Sequence, residues 1–495
     1  MGKDHQTSLY GLPSQTQRER IAVVAVQDSA SALALRPQAA YVHIPFCRRR
    51  CFYCDFPIQV TGDRRHGGNF APIAAYLATL AQEIQTTPIL ANPKTRPLQT
   101  VFFGGGTPSL LLPEQIAAIL EQLRDRFGLG PDLECSIEVD PGTFSLAQIQ
   151  GYQAAGVNRF SLGVQAFQDE LLAACGRFHR LADIEAAVQA LGEAGVENWS
   201  LDLISGLPHQ TLDHWQDSLQ RAIALAPTHL SVYDLTLEAP TVFGKRYQPG
   251  QTPLPSDETT AQFYRTAQQR LTSAGYDHYE VSNYAKPGFY CRHNLVYWRN
   301  QSYYGFGLGA ASYLNGHRFS RSRYSQAYQQ WVETLTNSLL EADPMPWILP
   351  PDVDLERLKL DRFLETLMLG LRLRAGVSLM ELEQEFGAEW VERLRGSLAG
   401  AIDRGWAVLT PESLEPTGAV QDPDRGDQTD RPNMADRPKT PDRASNLTYL
   451  VNPEHLKALP QSVPPLRLRL SDPEGFLFSN QVISDLFAQF LEDSR

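Results

Sequence analysis

No apolar run in this chain approaches the roughly 20 residues that a helical membrane span needs, so no such span is expected. Positive charge is also in short supply. There are 44 Lys and Arg against 56 Asp and Glu, a net charge of −12, which argues against general nucleic-acid affinity. A myristoylation signal is missing, because Gln6 stands where Ser or Thr would follow Met1-Gly2. The apolar stretch Ile21–Val26, behind Arg18 and Arg20, is too short for the core of a secretory signal. A cytoplasmic protein is expected, with peripheral membrane contact and a homodimer both left open. Cysteine is scarce as well, with six in 495 residues.

Three of those six crowd into Tyr41-Val42-His43-Ile44-Pro45-Phe46-Cys47-Arg48-Arg49-Arg50-Cys51-Phe52-Tyr53-Cys54, spaced C-x3-C-x2-C. Thiolates this close in sequence can converge on one soft metal centre. A four-iron cluster normally takes four cysteines. Three would leave one iron open to a small molecule. Unrelated buried thiols, or a zinc site completed by a remote histidine, are the plainer alternatives. Cys135, Cys175 and Cys291 are scattered and read as inert, buried thiols.

From Ala40 the chain becomes rhythmic. Apolar runs at Ala40–Pro45, Thr100–Gly104, Leu133–Val139, Arg159–Gln165, Trp199–Ile204 and Leu230–Leu237 read as strands. Amphipathic stretches lie between them. Ile116, Ile119, Leu120, Leu123 and Phe127 share one helical face, and Ile184–Leu191 and Trp215–Leu225 also read as helices. Repeated β-α alternation predicts an α/β fold with a parallel sheet. Six units predict an open, partial (β/α)6 barrel whose site lies at the C-terminal strand ends. Residues 1–38 read as a loose leader, 39–285 as the barrel and 286–350 as a connecting segment. Residues 351–495 read as a small winged-helix-like domain carrying a disordered insertion at about 412–465. In that last domain Arg362–Leu371, Leu379–Phe386 and Trp390–Arg404 read as helices. Gly405–Thr410 and Gly475–Asn480 read as the strands of a wing.

The strand ends carry polar residues. Gly104-Gly105-Gly106-Thr107-Pro108 follows the second strand, where bare backbone could meet a polar ligand or simply turn. It is no phosphate loop, since no Gly-Lys-Ser/Thr follows. Glu138, Gln165 and Asp202 close later apolar runs, where ordinary loop solvation is the alternative. His293 sits in Cys291-Arg292-His293-Asn294-Leu295-Val296-Tyr297-Trp298. There it could be an axial ligand among aromatic rings, or a hydrogen-bonded core histidine.

The pattern Tyr41-x-His43-Ile44-Pro45-Phe46-Cys47-x3-Cys51-x2-Cys54 resembles the radical S-adenosylmethionine (SAM) superfamily. Within it, the chain looks like the branch of oxygen-independent coproporphyrinogen III oxidases and HemW-type heme chaperones. The resemblance implies a [4Fe–4S] cluster on Cys47, Cys51 and Cys54, with SAM on the fourth iron. It implies SAM contacts from Tyr41, Tyr53, Gly105, Gly106, Thr107, Glu138, Gln165, Arg177 and Asp202. It also implies the partial barrel and the C-terminal winged helix.

Three features point to the chaperone side. Cys54-Asp55-Phe56 ends in Phe where the oxidases have a further Cys. The leader is short. His293-Asn294-x-x-Tyr297-Trp298 matches a motif associated with heme binding, which makes His293 the candidate heme ligand. Many relatives carry histidine where Ala311 stands, so no metal role rests there. The expected function is therefore a heme chaperone that binds heme and passes it to an acceptor apoprotein. The alternative is a dehydrogenase that decarboxylates coproporphyrinogen III oxidatively to protoporphyrinogen IX.

Overall fold

The computed structural model describes residues 37–62, 68, 70–90, 94–314, 316–340, 355–412 and 465–492. The expected leader lies outside the described residues except for its last two positions. The expected insertion lies outside them except for residues 412 and 465 at its ends.

Among the described residues nine strands form one sheet. They are β1 (Ala39–Ile44), β2 (Leu98–Gly105), β3 (Leu129–Val139), β4 (Arg159–Gln165), β5 (Trp199–Ser205), β6 (His229–Asp234), β7 (Asp277–Glu280), β8 (Asn283–Ala285) and β9 (Tyr304–Phe306). From β1 to β6, strands adjacent in sequence are adjacent in the sheet and run parallel. These are the six expected strands, and helices separate β2 through β6 as the alternation requires. The edges are closed differently. The hairpin β7–β8 runs antiparallel against β6. Strand β9, from the stretch read as a connector, lies parallel to β1 on the far side. The strand order begins at β9 and ends at β7, so the barrel is open.

The two faces of the sheet differ in chemistry because side chains alternate along a strand. Phe160, Leu162 and Val164, then Leu201 and Leu203, then Leu230 and Val232 point outward into one continuous apolar core. The helices that cover them present matching stripes. In Pro113–Phe127 the buried residues are Ile116, Ile119, Leu120, Leu123 and Phe127. In Leu212–Leu225 they include Trp215, Leu219 and Ala222. The inner positions of the same strands are Arg159, Ser161 and Gly163, then Asp202, then Ser231 and Tyr233. All of these line a cavity.

The small C-terminal domain is mostly helical and has its own core around Phe363, Leu367, Leu394 and Phe490. Its sheet corrects one sequence expectation. The partner of Ala407–Pro411 is Leu466–Leu470, which also pairs with Val377–Ser378. Residues 475–480 are no strand, since Glu474–Leu477 is a helical turn leading into the helix Ser479–Glu492. A short apolar run such as Phe476-Leu477-Phe478 fits either period. Ser471 decides the matter by accepting the Gly475 backbone N–H at 2.9 Å and starting the turn. The domain docks through backbone bonds from Val281 to Arg372 and from Arg374 to Tyr279. His278 and Asp472 reinforce the contact at 2.8 Å.

Candidate active site

The cysteine loop leaves the C-terminal end of β1, where the barrel opens. Backbone bonds fasten it on two sides, Phe52 N–H to Cys175 and Phe243 N–H to Phe52. Arg50 holds the loop from outside, donating to the carbonyls of Cys54, Phe56 and Ile58. Cys47, Cys51 and Cys54 are all half-buried and unpaired with one another. They line one cavity of about 650 Å³, and every other candidate residue lines it too: Tyr41, Tyr53, Gly105, Gly106, Thr107, Glu138, Gln165, Arg177, Asp202 and His293.

Two of the sulfurs face a donor. Thr107 Oγ1 lies 3.5 Å from Cys47 Sγ, and Arg177 Nη1 lies 3.6 Å from Cys51 Sγ. Asp140 lies beside both: its Oδ2 is 3.2 Å from Thr107 Oγ1, whose one proton is shared between carboxylate and sulfur, and its Oδ1 is 2.5 Å from Arg177 Nη2. Burial pushes the Cys47 thiol up to about 12, against the pull of the Thr107 hydrogen bond. Burial raises the Cys54 thiol as well. Loading a metal centre here must therefore displace protons. Among the described residues no three His, Cys, Asp or Glu side chains form a group that could hold a lone metal ion. An iron–sulfur cluster is held by cysteine thiolates, one to each iron. The donor set, three thiols around one cavity with hydrogen bonds aimed at two of them, fits such a cluster.

The glycine loop packs against the root of the cysteine loop. Gly106 N–H bonds to Ile44 O at 2.9 Å and Thr107 N–H to Phe46 O at 2.7 Å. A Cβ on Gly106 would sit 2.7 Å from Ile44 O and 2.8 Å from both Phe46 N and Phe46 O, so only glycine fits. Gly105 has φ of +108°, and its N–H donates to Glu138 Oε2 at 2.9 Å. Gln165 occupies the left-handed region at φ +68°, where the β4–β5 register shifts. That bulge turns its side chain into the cavity, the kind of local strain that functional sites retain.

Burial pushes Glu138 up to about 8, with Asp202 and Asp140 adding to the shift. Below pH 4.5 this carboxyl is protonated whether or not the chain is folded. Between 4.5 and about 8 the unfolded chain releases the proton and the folded chain keeps it, so stability falls as pH rises, and the loss is complete above about 8. Glu138→Gln should remove that component. The gap in thermal midpoint between the variant and the native chain should widen from pH 5 to 8 in favour of the variant. A gap that does not change with pH would mean Glu138 is ionised in the fold.

His293 lies on the helix Arg292–Trp298, whose i,i+4 spacing puts His293 and Tyr297 on one face. The ring is fully buried and engaged at both nitrogens, Nδ1 with Thr100 Oγ1 at 2.8 Å and Nε2 with Tyr297 Oη at 2.7 Å. It stacks on Phe102 at 5.2 Å, and Phe102 stacks in turn on Tyr41 at 6.3 Å. Burial, then Arg159, lowers its pKa to about 3, so the imidazole is neutral. A neutral imidazole can ligate iron, but only once the Tyr297 hydroxyl gives way.

The sequence reading missed Asp140, which positions both Thr107 and Arg177, and the polar inner row of Arg159, Ser161 and Ser231. The inner row was detectable as polar residues at every second position of β4 to β6. Asp140 had no such signal, being one more acidic residue in a turn.

Residues 41–222 match the radical SAM superfamily, and residues 358–419 match the HemN C-terminal domain. The heme chaperone HemW of Synechocystis sp. is 44% identical over 93% of this chain and 98% of that protein. The heme chaperone HemW of Bacillus subtilis is 36% identical over 71% of this chain and 87% of that protein. Among solved structures, the Escherichia coli coproporphyrinogen III oxidase HemN, described as a radical SAM enzyme, superposes with a TM-score of 0.62. It is 26% identical, covering 76% of this chain and 87% of that one. No helix among the described residues is long and apolar enough to cross a membrane.

Proposed function

We propose that this chain, which belongs to the HemW-type family of the radical SAM superfamily, is a heme chaperone that binds heme and hands it to an acceptor apoprotein in a reducing compartment. The observation that carries this reading is that one cavity is lined both by the three thiols and by His293, Asn294 and Tyr297 of the His-Asn-x-x-Tyr-Trp helix. The names of the relatives favour it over the dehydrogenase.

Cys47, Cys51 and Cys54 would hold a [4Fe–4S] cluster with SAM at its open iron. That pair supplies a redox-active centre when bound. The chain's own residues do the rest. The Gly105–Thr107 backbone offers polar groups beside Glu138, whose carboxyl is shifted by burial toward the protonated form, which can donate as well as accept. Arg177 supplies a buried positive charge, and its Nε has no partner among the described residues. Tyr41, Tyr53, Gln165 and Asp202 complete the wall. In this reading the cluster and SAM support folding, dimerisation or gating of heme transfer.

The test is a heme titration of the anaerobically reconstituted chain, with coproporphyrinogen III offered in parallel. A stoichiometric Soret-absorbing complex is expected, without conversion of the porphyrinogen. Absence of the complex would refute the chaperone. His293→Ala should shift the Soret band, and Tyr297→Phe, which frees Nε2, should strengthen binding. Identical spectra in all three proteins would remove His293 as ligand.

A further inference from the structure

Arg159 is the first residue of β4 and points into the barrel, 2% exposed. Among the described residues its guanidinium makes no ion pair, and its buried Nε has no hydrogen-bond partner. Burial alone would drive its pKa down. The acidic groups nearby, Glu134 and Asp202, oppose that, and an arginine keeps its charge in proteins. Yet the two carboxylates are committed elsewhere. Glu134 accepts the backbone N–H groups of His293 at 2.9 Å and Arg292 at 3.0 Å. Asp202 accepts the Ser161 hydroxyl at 3.0 Å and that of Ser200 at 3.3 Å. Directly across the ladder from Arg159 is Ser136, fully buried, whose hydroxyl also lacks a partner. A buried cation and a buried hydroxyl left unpaired side by side are costly unless something completes them.

We propose that Arg159, with Ser136 beside it, anchors a carboxylate of the bound tetrapyrrole inside the barrel. Guanidinium and carboxylate match in planar, two-pronged geometry, and the pairing gains strength away from water. The proposal rests on the heme-chaperone reading and adds to it an orientation. One propionate points inward toward the floor formed by Arg159 and the helix of His293.

The probes are iron protoporphyrin IX and its dimethyl ester, which has the same ring and no free carboxylate. Each is titrated into the anaerobically reconstituted full chain. The native chain should bind the free acid at least tenfold more tightly than the ester. Arg159→Gln should lose that preference, and Arg159→Lys should keep part of it. Retained iron and sulfide, and unchanged SAM retention, should show that the variants fold and that the anion held is not that of SAM. Equal binding of acid and ester by the native chain would overturn the proposal, as would a preference that survives in Arg159→Gln. Either result leaves the chaperone reading standing. Failure of both porphyrins to bind would overturn the two together.

Discussion

Serine at Cys47, at Cys51 or at Cys54 is expected to abolish the brown chromophore of the reconstituted protein, with iron and sulfide falling to background in each variant. The reason is chemical softness. A serine hydroxyl is a hard donor that keeps its proton, whereas iron–sulfur cores bind thiolate. The site has no spare ligand to offer. The remaining cysteines, Cys135, Cys175 and Cys291, are fully buried, and Cys135 sits in the apolar core outside the sheet. Cys135→Ser is therefore the control and should keep its colour. Thr107→Val should fall between these outcomes. It removes the hydroxyl that faces Cys47 and frees Asp140 on one side, so the cluster should load but bleach faster in air. Iron and sulfide retained in all three cysteine variants would refute the three-thiolate site.

How much of this site the sequence reveals depends on how local each signal is. The cysteine loop and the Gly104–Pro108 turn are contiguous motifs, so their meaning survives without a fold. The six parallel strands were legible because each is an apolar run bounded by turns. The closing strand β9 was not, because Tyr304-Gly305-Phe306 is three residues long among glycines and becomes a strand only by pairing with Ala40–Val42. The His293 motif was read correctly as aromatic-rich. Its burial and its two occupied ring nitrogens depend on Thr100, 193 residues away, and no local pattern encodes that contact. The misread strand at 475–480 has the opposite cause, a local pattern too short to choose its own period.

The interaction least visible in sequence carries the largest expected stability effect. Glu83 and Arg321 are 238 residues apart, 0% and 1% exposed at their side chains, and paired at 2.8 Å. Glu83 also accepts the Tyr328 hydroxyl at 2.6 Å and the Gly307 N–H at 2.8 Å. Tyr76, on the same helix as Glu83, donates to His43 O at 2.5 Å, on the strand that runs into Cys47. The network thus ties the segment after β9 to the root of the cysteine loop. Arg321→Met leaves the Glu83 carboxylate buried without its cation, a loss of about 3–5 kcal/mol in proteins where one partner of such a pair is removed. Urea unfolding should register that loss, and the variant should shed its cluster sooner than the native chain. Adding Glu83→Gln removes the stranded charge, so the double variant should be more stable than Arg321→Met alone. Strict additivity of the two single effects would mean the pair is not coupled, and that burial of apolar surface by β9 and its neighbours holds this edge of the barrel instead.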